Sequence, residues 1–347
     1  MKKSMAFAIV LFFLSASSTL ILLSTKANSE TTIPPNIGVY YYPWYMGEWG
    51  LYHKNCPDTP VLGQYNSSDL HVIDQHLDWF EQLGIDFVIF SWWGKGSPAD
   101  TNAQIMVNEM ARNHSNIQFF IMVEAFTTGW EEGYNSTTGI YSYTLIYNYI
   151  YDTYVNPHNS SYFCLDGKPA IGFYNGPNNR NLTINGVPDD NRFTLRLIGS
   201  FPNDNWEYQV PNPSLSTQPV CMDGEISVCP RYDAGGWHED VNYTEGLYDK
   251  QWKKAITEAS QGRVKIVTII SWNEYAERTQ IEPTYDTTSA FKSNPLYIFN
   301  KTKTYVETID KTVGAPSLPP EFIYTITVAV VLMVIVLAVL ILRKKPV

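Results

Sequence analysis

Basic charge is scarce in this chain. Lys and Arg number 24 against 34 Asp and Glu, for a formal net charge of −10. A nucleic-acid partner calls for a basic stripe that neutralises phosphates, and the charge balance argues against one. Cysteine is scarce too, with four in 347 residues. There is no Cys-x-x-Cys pair and no His-Glu-x-x-His stretch, so the usual metal-site spacings are absent and neither metal nor cofactor is expected. Gly94-Lys95-Gly96 is not followed by a phosphate-loop pattern and reads as a turn. His71 and His76 stand five apart on a predicted helix, share no face well, and read as surface or packing residues. No internal repeat is visible, and no run of like charge is long enough for a disordered tail.

What the chain has in quantity is apolar and aromatic surface, 44% and 14% of its residues, with 21 Gly and 21 Pro. One large barrel or two ordinary domains could be built from this length. Two long apolar runs lie at the ends. Lys2 and Lys3 precede the run Met5–Leu23, and small residues lead to Ala27, which reads as a secretory signal over 1–27 or an uncleaved anchor. Phe322–Leu342 is an uncharged stretch of 21 residues, enough to span a bilayer, and Arg343, Lys344 and Lys345 follow it. The positive-inside rule puts the tail 343–347 in the cytoplasm. The expected arrangement is a barrel over 36–312, a linker over 313–321 and a span over 322–342, with the barrel held outside the cytoplasm at the cell membrane. The chain would cross once, or twice if the first helix is retained.

Seven Asn-x-Ser/Thr sequons, at Asn66, Asn113, Asn135, Asn159, Asn181, Asn242 and Asn300, fall in the part expected outside and would make it a glycoprotein. So do Cys56, Cys164, Cys221 and Cys229. An oxidising compartment allows three disulfide pairings, of which Cys221–Cys229 with Cys56–Cys164 is preferred, and free buried thiols are the alternative.

Between the ends, short apolar runs alternate with helical periodicity. Ile37–Tyr42, Ile85–Phe90, Gln118–Val123, Pro169–Tyr174, Phe193–Ile198, Glu225–Val228 and Val264–Ile270 read as strands. Helices are predicted from Asp69, from Asp100, over Tyr141–Tyr154, over Tyr243–Ser260 and over Asn294–Lys311. Alternation of this kind predicts an α/β fold with a parallel sheet, and functional residues at C-terminal strand ends point to a (β/α)₈ TIM-type barrel. Seven strands are legible; the eighth is assumed. Pro202–Asp223 is a long irregular excursion.

The strand ends carry the chemistry. Val264–Ile270 runs into Ser271-Trp272-Asn273-Glu274-Tyr275-Ala276-Glu277-Arg278-Thr279-Gln280-Ile281-Glu282-Pro283, where three carboxylates follow a core strand. Carboxylates are rarely buried without partners, so such a cluster needs a reason. Glu274 and Glu277 are the candidate acid/base pair of a glycoside hydrolase; a polar loop with one carboxylate capping a backbone N–H would show the same spacing. Tyr40-Tyr41-Tyr42-Pro43-Trp44-Tyr45 ends the first strand, Ser91-Trp92-Trp93 the second and Glu124 the third. Aromatic faces bind the apolar faces of sugars while polar edges orient hydroxyls, although an aromatic core plug is the plainer use.

Taken in order, Tyr41–Tyr45, Pro60-Val61-Leu62-Gly63, Ser91-Trp92-Trp93, Val123-Glu124-Ala125-Phe126 and Ser271–Pro283 resemble motifs of glycoside hydrolase family 99, endo-acting α-mannosidases and α-mannanases built on a (β/α)₈ barrel. The resemblance spans roughly Asn36 to Lys311. It implies retention without a covalent enzyme intermediate: Glu274 as base on the substrate 2-hydroxyl, Glu277 as the acid that protonates the leaving oxygen and later activates water. It also implies substrate binding by Glu124 and sugar subsites lined by Tyr42, Tyr45, Trp93 and Tyr232. The family's usual Glu-Trp-His-Glu-Gly is replaced by Glu274-Tyr275-Ala276-Glu277-Arg278. Ala276 looks more like family-99-like domains of polysaccharide-biosynthesis clusters, and Arg278 would lower the pKa of a carboxylate it approached. The expected partner is therefore an oligo- or polysaccharide with α linkages. The alternatives are a non-catalytic glycan-binding surface protein and a glycan-processing or transferring enzyme of surface-polysaccharide assembly.

Overall fold

The computed structural model describes residues 33–313 except 48, 51–55, 57, 115, 125–133, 136–139, 142, 176–186, 200–205, 207, 209–223, 234–244 and 287–292. The expected signal or anchor over 1–27, nearly all of the linker and the span over 322–342 lie outside the described residues. Among those described, no helix is long and apolar enough to cross a membrane.

Seven strands form one parallel sheet: β1 Asn36–Tyr41, β2 Phe87–Trp92, β3 Gln118–Val123, β4 Lys168–Asn175, β5 Thr194–Gly199, β6 Glu225–Val228 and β7 Ile266–Ile269. Their order is β6-β7-β1-β2-β3-β4-β5, with every neighbouring pair parallel. These are the seven strands expected from the sequence, to within a few residues. They are legible because a parallel sheet covered on both faces asks for unbroken apolar runs, and β2, β6 and β7 are buried at every residue. The first strand lies between the last and the second, with Gly38 opposite Thr268 on one side and Phe87 on the other. The order is chain order taken round a cycle, last strand beside first, as in a sheet curled toward a barrel.

One further residue extends the sheet past β5. Trp206 donates its backbone N–H to the Leu197 carbonyl at 3.1 Å in a parallel bridge, and its indole packs on Phe87 and Phe120.

The helices cover the sheet. In α1, Leu70–Leu83, the Asp69 side chain caps by accepting from His71 N, and Gly84 ends the helix at φ +72°. In α2, Pro98–Asn113, the cap is Ser97 and Pro98 is first in the helix. Asp100, expected to open that helix, instead lies in its first turn with a buried carboxylate that receives Trp92 Nε1, the hydroxyls of Tyr149 and Tyr154, and Gly96 N. Four donors explain how a carboxylate can be buried there, and they fix the turn at Gly94-Lys95-Gly96. The predicted helix over Tyr141–Tyr154 is α3, Tyr143–Ile150, continued by a wider π turn over Tyr151–Val155. The last two helices are α4, Glu245–Ser260, and α5, Tyr297–Val313. α5 stacks Tyr305 on Trp252 of α4 and packs Phe299 on Trp79 of α1, so the helical layer also runs from last to first.

The preferred disulfides are not formed. Cys56 is a buried thiol packed among Tyr45, Trp49 and Tyr275, whereas Cys164 is an exposed thiol beside Pro169 at the start of β4. Cys229 is also free and buried, its Sγ donating to the Arg231 carbonyl; Cys221 lies outside the described residues. Spacing along a chain carries no information about depth, which is what separates Cys56 from Cys164.

Candidate active site

The loop after β7 is held from below by a buried polar network. Glu282 receives the Tyr65 hydroxyl at 2.9 Å, the Tyr275 hydroxyl at 3.1 Å and His76 Nε2 at 3.0 Å, and His76 Nδ1 meets the Tyr41 hydroxyl at 3.1 Å. His76, expected to be a surface or packing residue, is fully buried and couples α1 to this loop. Of the three acidic residues after β7, Glu282 is therefore structural. Above it, Asn273 bonds both backbone groups of Tyr42, and the Tyr45 hydroxyl donates to the Asn273 carbonyl at 2.7 Å. Tyr45 is wholly buried against Trp49 and Tyr275. It supports the loop backbone from behind.

Glu274 and Glu277 follow on this platform. Glu274 is 2% exposed, its backbone N–H donates to Ser271 Oγ, and its carboxylate accepts the Ala276 N–H at 3.0 Å. Burial, then the neighbouring Glu277, push its pKa well above the usual carboxylate range. Glu277 keeps part of its surface open, and burial pushes it up to about 7. The Glu277 carbonyl accepts the Asp233 N–H at 2.8 Å from the loop after β6.

Glu124 comes from the end of β3. It is 6% exposed, accepts Ser91 Oγ at 2.7 Å, and is raised to about 8 by burial, with Glu277 adding to the effect. Ser91 in turn accepts Trp93 Nε1 at 2.9 Å, so the end of β2 orients both groups. Glu274, Glu277 and Glu124 all act on the Tyr42 hydroxyl, and all three act on the Tyr174 hydroxyl together with Tyr232. The strand ends of β1, β3, β4, β6 and β7 thus meet at one place.

Of the residues singled out from sequence, Glu274, Glu277, Glu124, Tyr42 and Tyr232 converge here, and Trp93 joins them through Ser91. Two more were missed. Tyr174 ends β4 and Tyr208 bonds the Tyr42 hydroxyl at 2.6 Å while packing on Tyr40 and Tyr174. The strand-end rule that selected Tyr42 would also have selected Tyr174; Tyr208 lies in the irregular excursion and carried no signal.

Arg278 does not neutralise the acid pair. Its Nε and Nη2 fork grips Asp58 at 2.9 and 3.0 Å, and Nη2 also reaches Asp286 at 3.0 Å. Among the described residues, the one group spaced as metal ligands is Asp78, Glu81 and His114, on other elements than these strand ends.

A curled parallel α/β sheet with buried carboxyl groups and tyrosines at its C-terminal strand ends has its candidate site where barrel enzymes carry theirs. No family model matches the chain. It is 22% identical over 348 residues to glycoprotein endo-alpha-1,2-mannosidase of Xenopus laevis, an alignment covering 81% of this chain and 78% of the relative. Among solved structures it is similar to the family 99 endo-alpha-mannosidase of Bacteroides thetaiotaomicron, with a TM-score of 0.59, 18% identity, and coverage of 81% of this chain and 99% of the other. A glycoside hydrolase-like protein superposes with a TM-score of 0.54 at 16% identity, covering 81% and 95%. Its fold is similar to that of the family 99 endo-alpha-mannosidase, the family that the ordered motifs resemble.

Proposed function

We propose that the domain is a closed (β/α)₈ barrel, with the segment around Trp206 in the sixth strand position, and that it hydrolyses α-linked glycans, α-mannosides among them, with retention of configuration. The observation that carries the reading is the meeting of Glu274, Glu277 and Glu124 within one electrostatic field, amid tyrosines, at the strand ends. Burial raises all three carboxyls, and the field of Glu277 adds to the effect on Glu274 and Glu124, which favours held protons as acid/base catalysis requires.

The roles, Glu274 as base and Glu277 as acid, follow the order of the resembled motif. Both carboxyls are raised in the free site, Glu274 by burial and the neighbouring Glu277, and Glu277 by burial; the Ala276 and Glu277 N–H groups are there to stabilise the anion that Glu274 must present. In the first step Glu274 takes the proton of the sugar 2-hydroxyl as that oxygen attacks the anomeric carbon. The glycosidic bond breaks, and the leaving oxygen takes the Glu277 proton. In the second step Glu277 removes a proton from water, water attacks the anomeric carbon, and the 2-oxygen leaves and recovers its proton from Glu274. Two carboxyl groups exchange roles, and no covalent enzyme intermediate forms. The apolar run over 322–342 and the three basic residues after it support a membrane-tethered protein with this domain outside the cytoplasm.

The test is a screen of the purified protein on α-mannans and other α-glycans beside Glu274→Gln and Glu277→Gln, with the product anomer followed by NMR. Release of the α-anomer by the parent and loss of turnover in both variants is expected. An initial β-product, or undiminished activity in Glu277→Gln, would overturn the mechanism; sugar binding with no cleavage would favour a binding module.

A further inference from the structure

The turn after Glu277 holds a residue its backbone does not favour. Arg278 lies at φ +56°, the left-handed region where a Cβ crowds the following carbonyl and glycine does not. Glycine is what the resembled motif has there. The arginine side chain is nevertheless buried and fully engaged: the fork on Asp58, Nη2 on Asp286, and Nη1 on Asp233 at 3.4 Å. A second buried arginine, Arg231, donates Nε to the Arg278 carbonyl at 3.0 Å and places its two Nη groups on Asp58 and Asp286. The turn is thus gripped on consecutive carbonyls, Glu277 by Asp233 N–H and Arg278 by Arg231, both from the loop after β6. Two guanidinium groups face three carboxylates, so the cluster lends the acid pair no net positive charge.

We propose that Arg278, clamped by Asp58, Asp286 and Arg231, is a positioning residue that holds the Glu277 backbone rigid and limits the access of water to its half-buried side chain, in a turn where a small residue would allow movement. The proposal rests on the reading of Glu277 as the acid/base. The titratable groups in the field of Glu277 are Glu274, Glu124, Tyr42, Tyr174, Tyr208 and Cys229. None of them is cationic, but the charged cluster on the turn (Arg278 and Arg231 on Asp58, Asp286 and Asp233) becomes more negative when Arg278 is lost, which would raise Glu277, whereas access of water would lower it toward its ordinary value. The direction of the shift therefore separates the two effects.

The test compares parent protein, Arg278→Gly, Arg278→Lys and Arg231→Gln. Arg278→Gly relieves the backbone and removes the clamp; Arg278→Lys keeps a charge without the fork. For Arg278→Gly, kcat is expected to fall about 10²-fold with KM little changed, and the basic limb of the pH–rate profile should move to lower pH. Arg278→Lys and Arg231→Gln should lie between it and the parent. Carboxyl titration by difference infrared spectroscopy, using Glu277→Gln to assign the band, should show the same downward movement. A folded Arg278→Gly with parent kcat, parent profile and unmoved Glu277 band, altered only in melting temperature, would overturn the proposal. If the parent cleaves no glycan, the infrared titration still decides about the clamp while the hydrolase reading fails separately. Should Arg278→Gly not fold, Asp58→Asn with Arg278→Gln removes both charges together and is read by the same titration.

Discussion

Asn273 and Tyr42 are joined twice: Asn273 Oδ1 accepts the Tyr42 N–H at 2.8 Å, and Asn273 Nδ2 donates to the Tyr42 carbonyl at 3.1 Å. The side-chain amide thus acts as a piece of strand, carrying the pairing of β7 with β1 one step beyond the last ladder bond and into the acidic loop. Asn273→Ala would leave two buried backbone groups without partners, at about 1–3 kcal/mol for each. Urea denaturation should show a loss of that order, with turnover falling in the fraction that remains folded. An unchanged midpoint would mean that other groups tie the loop to β1.

The raised carboxyls set a direction for stability against pH. Glu124 goes from an ordinary value of 4.5 to about 8 in the fold. Between those values the folded protein holds a proton that the unfolded chain has released, so stability falls as pH rises through this window. The slope is at most about 1.4 kcal/mol per pH unit for one such group. Glu124→Gln keeps the shape and removes that slope, so its melting temperature should exceed the parent's at pH 8 and approach it at pH 5. Parallel melting curves at both pH values would show that Glu124 is solvated and ordinary. The gain in stability should come with a loss of turnover, as a group placed for function rather than for the fold would give.

Much of this was legible in the sequence, for a physical reason that also explains the gaps. A parallel strand buried on both faces must be a continuous apolar run, so β1 to β7 announce themselves, and whatever polar residue ends such a run stands out. Glu124 and Glu274 were found that way. Trp206 takes its place beside β5 through one backbone bond within a Pro- and Asn-rich stretch, and no periodicity marks it. His76 and Glu282 are 206 residues apart. A pairing that long leaves no local trace, so the histidine reads as an ordinary helix residue and Glu282 as one more carboxylate of the loop. Arg278 was misleading in the same way: its charge is visible, but the Asp58 and Asp286 that absorb it are known only once the chain has folded.

The His76–Glu282 pair should therefore be coupled in stability. Both side chains are fully enclosed, and Glu282 accepts from Tyr65 and Tyr275 as well. Glu282→Ala should cost about 3–5 kcal/mol, because it leaves several buried donors unmet. In a double-mutant cycle with His76→Ala the two losses should fall short of additivity by about 0.5–3 kcal/mol. Strict additivity would mean that the contact contributes nothing of its own.

Gly38 gives a prediction for the interior of the sheet. A Cβ at this position would lie 2.3 Å from Cε2 and Cζ of Phe87. That ring cannot swing clear, since it stacks on Phe163 at 4.1 Å and packs against Phe120 and Trp206. Gly172 is the comparison: its Cβ would come within 2.8 Å of the end of the Ile198 side chain, which can rotate, and otherwise meets Met122 Cα and Cβ at an ordinary contact distance of 3.4 Å. Gly38→Ala should destabilise by about 1–3 kcal/mol or more through overpacking, and Gly172→Ala by clearly less. Phe87→Leu should recover part of the Gly38→Ala loss, because it removes the ring edge that the methyl group strikes. If instead both alanine variants melt like the parent, the interior around Phe87 has room that the packing of these four aromatic rings does not leave.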